Sequence, residues 1–231
     1  MALGLRDRWR VLAPDLRGHG GTEWSTDYSQ EAWVGDVGLF ADTVGVGRFT
    51  LAGHLMGARI AWLYAARHPE RVERLVIVGL APMKPRRFPP TPYDSFGSVE
   101  EAVAAAREVR YERTPDTVYR RFLERFLTRR SDDRWTWRHD PALRAAPEEQ
   151  PEFAADIDEQ WRALRAVRCP TLILHAADSE AGAREKKEEM VRAMRDARLV
   201  EISGVRDLLL DDAAQTIAAL RAFLDGRPLA T

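Results

Sequence analysis

Two kinds of apolar pattern alternate along the first eighty residues. Short continuous apolar runs occur at Arg8–Leu16 ("RWRVLAPDL"), Phe49–Gly53 and Val72–Gly79. Between them lie longer stretches in which apolar residues recur every three or four positions. One contains Trp33, Val37, Phe40 and Val44, with Ser29 placed as an N-cap and Gly45 or Gly47 as a stop. Another, Gly57 to His68, is apolar nearly all round and reads as a buried helix. Continuous β-branched runs such as "RLVIV" suit strands covered on both faces. Strand alternating with helix predicts a parallel, doubly wound sheet.

The pattern breaks at "MKPRRFPPTPYDSFGS", which is rich in proline. From Val99 to about Ala166 the spacing is helical and charged, with no strand signal. The alternation resumes at Thr171–His175, continues through a helix at Met190 and Met194, then a strand at Leu199–Ile202. A last helix carries Ile217, Leu220, Phe223 and Leu224 on one face. These breaks divide the chain into a core, 1–82 and 169–231, and an inserted helical cap, 83–168.

Composition narrows the function classes. The 231 residues suffice for one large domain with an insertion. Basic and acidic residues balance, 35 against 36, so no basic face for nucleic acid is implied. Cys169 is the sole cysteine, which excludes a disulfide framework or cysteine metal cluster and fits a reducing cytoplasm. The opening "MALGLRDRWR" is charged and no run reaches membrane-spanning length, so neither secretion nor membrane insertion is expected. No residue spacing suggests a metal or cofactor. "GVGR" at Gly45–Arg48 follows a helix and precedes a strand, the reverse of a phosphate loop. Asp132 and Asp133 read as a solvated turn, His68 as a helix end, and Trp135 and Trp137 as packing residues.

The chemistry-bearing stretch is "FTLAGHLMGARIAWLYAARHP", a strand, a tight glycine turn and a buried helix. With "VLAPDLRGHG", "RWTWRHDPAL", "VRCPTLILHAADS" and "ARLVEISGVRDLLLDD", in this order, it resembles the capped α/β-hydrolase superfamily of esterases, lactonases, epoxide hydrolases and C–C hydrolases. The resemblance implies a partial α/β-hydrolase fold with a mostly parallel sheet of about five strands. Arg8–Leu16 would be the family's fourth strand, and those at Phe49, Val72, Thr171 and Leu199 its fifth to eighth. Strands one to three, and the oxyanion loop after the third, find no counterpart. The chain is therefore expected to be N-terminally truncated, with a gap beside the fifth strand open to a second copy or complementing chain.

Family members place a nucleophile at the apex of a G-x-S-x-G elbow, an acid after strand seven and a histidine after strand eight. Here the elbow is Gly53-His54-Leu55-Met56-Gly57, and the apex is Leu55. Leucine has no lone pair and no proton to give up. Gly53 and Gly57 are expected to leave room for the sharp turn. The acid position matches Asp178, which without a histidine reads as a turn carboxylate. His175 reads as a packed strand residue. The histidine position falls on Arg206 or Asp207, before Asp211-Asp212. Arginine is no base near neutral pH, its pKa lying above about 12. "RGHGG", with His19, matches the loop after the fourth strand, a structural segment.

Loss of the serine alone removes about 10⁶ in rate, and loss of one oxyanion donor roughly another 3 kcal/mol. The expected function is an α/β-hydrolase-fold protein without hydrolase activity, a remnant or a binder of a small apolar or ester-like ligand under the cap. The alternatives are lyase or cyclase chemistry with His54 and Asp178 as acid–base groups, or an ester or lactone hydrolase completed by parts supplied elsewhere.

Overall fold

The computed structural model describes residues 2–83, 95–109, 116–144, 156–179, 183–205 and 207–229. They divide into two compact units, one formed by 1–14, 30–84 and 155–231, the other by 15–29 and 85–154.

The first unit is built on a parallel sheet. Its strands are β1 (Phe49–His54), β2 (Val72–Val78), β5 (Thr171–Ala176) and β6 (Ala197–Ile202). They lie side by side in the order β1-β2-β5-β6. The intervening β3 and β4 belong to the second unit. Register pairs Gly53 with Ile77, and His175 with Glu201. Alternation sorts the strand residues onto two faces. Val76, Val78, Leu172, Leu174, Ala176, Val200 and Ile202 turn to one side, against Leu220 and Phe223 of α8 (Ala213–Leu224) and Leu208 of α7 (Leu208–Asp211). On the other side α2 (Met56–Arg67) packs on β1 and β2, and α1 (Gln30–Thr43) packs on α2. α2 is buried nearly all round, as its apolar sequence requires: Ala58 and the run Ile60–Ala65 are all shielded.

The sheet has four strands and not the expected five. Arg8–Leu16 forms no strand. Among the described residues nothing pairs with the edge of β1 facing away from β2. The segment's apolar residues are used differently: Trp9 and Val11 lie half-buried against the α8-side core, and Leu12 stays 40% exposed.

One further segment sits differently from the expected division. α5 (Ile157–Ala166), assigned to the insertion by pattern alone, belongs to the first unit and packs on α2. Its Gln160 amide donates to the Met83 carbonyl at 3.0 Å, and its Leu164 is fully buried. The Gly45–Arg48 turn between α1 and β1 is held by Arg71, whose guanidinium donates to the Gly47 carbonyl at 2.6 Å and to Asp42 at 2.7 Å.

The second unit contains α3 (Val99–Val109) packed on α4 (Asp116–Phe126). It also holds a hairpin the helical pattern did not reveal, β3 (Leu127–Arg129) with β4 (Trp135–Trp137). The hairpin turn contains Asp132 and Asp133, the latter at φ 64°. Trp137 meets Phe96 edge-on with ring centroids 5.5 Å apart. The "RGHGG" loop is fastened here. The Gly20 N–H donates to the Arg138 carbonyl, and the Asp140 N–H to the Gly18 carbonyl. The Tyr28 hydroxyl donates to the buried Asp140 carboxylate at 2.5 Å. Gly18, at φ 75°, is needed because a Cβ there would lie 2.6 Å from the Tyr28 ring. His19 accordingly sits within a structural clasp.

Candidate functional site

The elbow is a strand-to-helix turn at the C-terminal end of β1. Its apex, Leu55, lies at φ 48° and ψ −115°. That region is sparsely populated by residues with a Cβ, and a leucine there is strained. The backbone holds it on both sides. The Leu55 N–H donates to the Val78 carbonyl at 3.1 Å, and its own carbonyl accepts from Ala58 and Arg59. Gly53 is required by close approach, since a Cβ there would collide with the Gly57 carbonyl and the Ala58 nitrogen. Gly57 is not required in the same way: a Cβ on it meets nothing within 4 Å. The expected steric duty of the two glycines therefore falls on Gly53 alone. Met56 opens α2.

The apex side chain is a leucine, which carries no nucleophilic atom. Beside it stands a polar pair. His54 ends β1, and its Nε2 is buried without a hydrogen-bond partner. The ring lies over Gly79, where a Cβ would sit 3.4 Å from Nε2. Burial lowers the proton affinity of His54, and the negative charge of Asp207 opposes this. Asp207 precedes α7 and is only 6% exposed. Burial raises its pKa, His54 counteracts the rise, and Asp211 adds to it. Each group thus favours the charged form of the other, against the burial that disfavours both.

A small, partly open recess of about 50 Å³ adjoins His54. Its walls are Ala52–His54 of β1, Val76 and Val78 of β2, Leu209 of α7 and Leu220 of α8. The lining is apolar except for His54. Val76 and Val78 alternate along β2 as one face of a pleated sheet demands, whereas β1 contributes three consecutive residues where it runs into the elbow.

Asp178 lies elsewhere in the arrangement. It is exposed, in the turn after β5, with its N–H donating to the Gly204 carbonyl at 2.9 Å. That bond ties the β5 turn to the loop after β6. The same loop is organised by Asp211, whose carboxylate accepts from the Val205 N–H at 3.0 Å, while Asp212 caps α8 through the Gln215 N–H. Asp211-Asp212 therefore shapes the loop. Arg206, the other residue expected at the histidine position, lies outside the described residues. The acidic partner acting on His54 is thus Asp207, where sequence reasoning had coupled His54 with Asp178. The signal was present in the sequence as the residue at the histidine position, but its burial was not.

A second polar group is buried between β5 and α6 (Ala183–Ala193). His175 is 4% exposed, and its Nε2 lies 3.4 Å from the Ser179 hydroxyl. Lys187, also 4% exposed, has its pKa lowered to about 8 by burial. No sequence signal marked Lys187, which follows an equally polar Lys186 on a charged helix. Among the described residues no group of three His, Cys, Asp or Glu could hold a metal ion, and no helix is long and apolar enough to cross a membrane.

A parallel sheet, a strained turn at the end of β1 and loops after β5 and β6 drawn together are the frame of one large class of enzymes. Residues 2–214 match the family model described as alpha/beta hydrolase fold. The chain belongs to that family. It is 30% identical over 186 residues to 2-hydroxymuconate semialdehyde hydrolase of Pseudomonas putida, a match covering 73% of this chain and 60% of that protein. A protein of the same name from Pseudomonas sp. (strain CF600) is 40% identical over 74 residues, covering 31% of this chain and 26% of that one. The chain thus spans less than two thirds of these curated relatives. Among solved structures, an α/β hydrolase from Novosphingobium aromaticivorans superposes with a TM-score of 0.80 at 24% identity, covering 97% of this chain and 82% of that one. E-2-(acetamidomethylene)succinate hydrolase does so with a TM-score of 0.78 at 22% identity, covering 91% and 80%. At these identities the likeness is one of fold.

Proposed function

We propose that this chain is a non-hydrolytic member of the α/β-hydrolase family that binds a small, largely apolar molecule. The observation that supports this most is Leu55 at the apex of an otherwise well-formed elbow. Hydrolysis in this fold proceeds by attack from the apex side chain. A leucine offers no attacking atom, whatever its surroundings. Asp207 at the histidine position adds to the case, because a carboxyl with its pKa raised by burial is not the imidazole that would activate a nucleophile.

The test uses 4-nitrophenyl acetate and butyrate. The chain as it stands is expected to show no hydrolysis above the buffer rate. Leu55→Ser combined with Arg206→His supplies two of the three parts expected to be missing, and slow hydrolysis is expected from the double variant and from neither single one. Hydrolysis by the unaltered chain that disappears in Asp178→Asn would overturn the proposal.

The buried pair of His54 and Asp207 favours a second reading, in which the site performs proton transfer without a nucleophile, of the lyase or cyclase type. A histidine beside a buried carboxyl can accept and return a proton.

A further inference from the structure

We propose that the cavity beside His54 is a binding site for a short, uncharged alcohol-class molecule whose hydroxyl pairs with His54 Nε2. This rests on the reading of the chain as a small-molecule binder and names the ligand chemistry.

Three observations converge. First, His54 Nε2 is buried and has no partner. Such a group is costly to leave unpaired, and most buried ring nitrogens are hydrogen-bonded. Second, the recess beside it is small, about 50 Å³, and partly open at Ala52. A cavity of about 150 Å³ lined by aliphatic and aromatic residues takes benzene, whereas roughly 10–15 Å³ admits a single water. The space here therefore suits a body of three or four non-hydrogen atoms. Third, the remaining walls are Ala52, Gly53, Val76, Val78, Leu209 and Leu220, none with a polar side chain. They favour an alkyl group and disfavour an anion, which would have to leave water with one partner only.

A hydroxyl meets these demands together. It donates or accepts, so it satisfies Nε2 in either tautomer of a neutral imidazole. Burial keeps His54 towards that neutral form, and the nearby Asp207 carboxyl gives the ring a second interaction on its own side of the fold. The alkyl end covers Val76, Val78 and Leu220.

The test compares 1-propanol with 1-chloropropane, which has the same shape and no hydroxyl. Both are titrated into the full chain while the ring protons of His54 and the methyl groups of Val76, Val78, Leu209 and Leu220 are followed by NMR. Saturable shifts are expected for both, with 1-propanol dissociating on the order of millimolar, as its few atoms dictate. In His54→Phe the affinity for 1-propanol relative to 1-chloropropane is expected to fall about tenfold, the cost of leaving a buried hydroxyl unpaired. If that variant does not fold, nuclear Overhauser contacts in the unaltered chain decide. The carbinol protons of 1-propanol should lie against the His54 ring, and its methyl against Val76 and Leu220. No saturable shift with either compound, an unchanged affinity ratio, or a reversed orientation would overturn the proposal. Hydrolysis of nitrophenyl esters by the same sample would refute the non-hydrolytic reading separately, so the two failures are distinguishable.

Discussion

The elbow conformation predicts an inverted order of stability between two small residues at position 55. Leu55 sits at φ 48° and ψ −115°, where any Cβ is strained by about 1–3 kcal/mol. Its side chain is half-buried, lying where a Cβ on Gly79 would be 3.5 Å from Leu55 Cδ2. Full burial of a leucine contributes about 1.5–3 kcal/mol, so partial burial here is worth roughly 1 kcal/mol. Leu55→Ala gives up that burial and keeps the Cβ, hence the strain; it is expected to destabilise by about 1 kcal/mol. Leu55→Gly gives up the same burial but releases the strain, against an unfolded-state entropy cost of about 0.5–1 kcal/mol. Glycine should therefore be the more stable of the two by up to about 2 kcal/mol. At ordinary positions alanine is the better residue. Urea unfolding of the two variants, followed by tryptophan fluorescence, measures this directly. With a slope of about 1–3 kcal/mol per molar, the midpoints should separate by several tenths of a molar or more. An alanine variant as stable as the glycine variant, or more so, would refute the strained-apex geometry and with it the assignment of Leu55 to the nucleophile position.

Two further outcomes are expected. Gly53→Ala should lower stability by about 1–3 kcal/mol through collision with the α2 backbone, whereas Gly57→Ala should be neutral or gain up to about 1 kcal/mol as a helix substitution; thermal unfolding of both separates the cases. Lys187→Met should stabilise the chain near neutral pH, because burial lowers the lysine from 10.5 to about 8. At 1.36 kcal/mol per unit this is a cost of about 3 kcal/mol below the folded-state value. A lowered folded pKa means the cost is full below about pH 8 and gone above about 10.5, so the stability of the unaltered chain should rise over that window. A Lys187→Met gain that persists undiminished at pH 10.5 would count against a charge origin.

Much of the fold was legible because its signals are local. β1, β2, β5 and β6 all fall within one or two residues of the expected ends, most plainly β5, which is buried throughout and leaves no polar phase to confuse the reading. α1 begins at Gln30, after the expected cap. The misreadings were non-local. The run at Arg8–Leu16 has the composition of a strand, but its Trp9 and Val11 pack against the α8-side core instead of joining the sheet. The Trp135–Trp137 strand is three residues long and was masked by helical surroundings. α5 has the amphipathic pattern of any surface helix, and only packing on α2 assigns it to the sheet unit.

The site divides in the same way. Chemistry that depends on residue identity was fixed by the sequence alone: Leu55 cannot attack, and neither Arg206 nor Asp207 is a histidine. Geometry and environment were decided by the tertiary structure. It placed Leu55 in a conformation that a leucine resists, gave the close-approach role to Gly53 and not to Gly57, and buried Asp207 where it acts on His54. The reason is physical. Strand and helix tendencies, turn glycines and the presence or absence of a reactive atom belong to the covalent chain. Burial, pairing and cavity space arise only when β1 and α7, more than a hundred and fifty residues apart in sequence, are brought onto one face of the sheet.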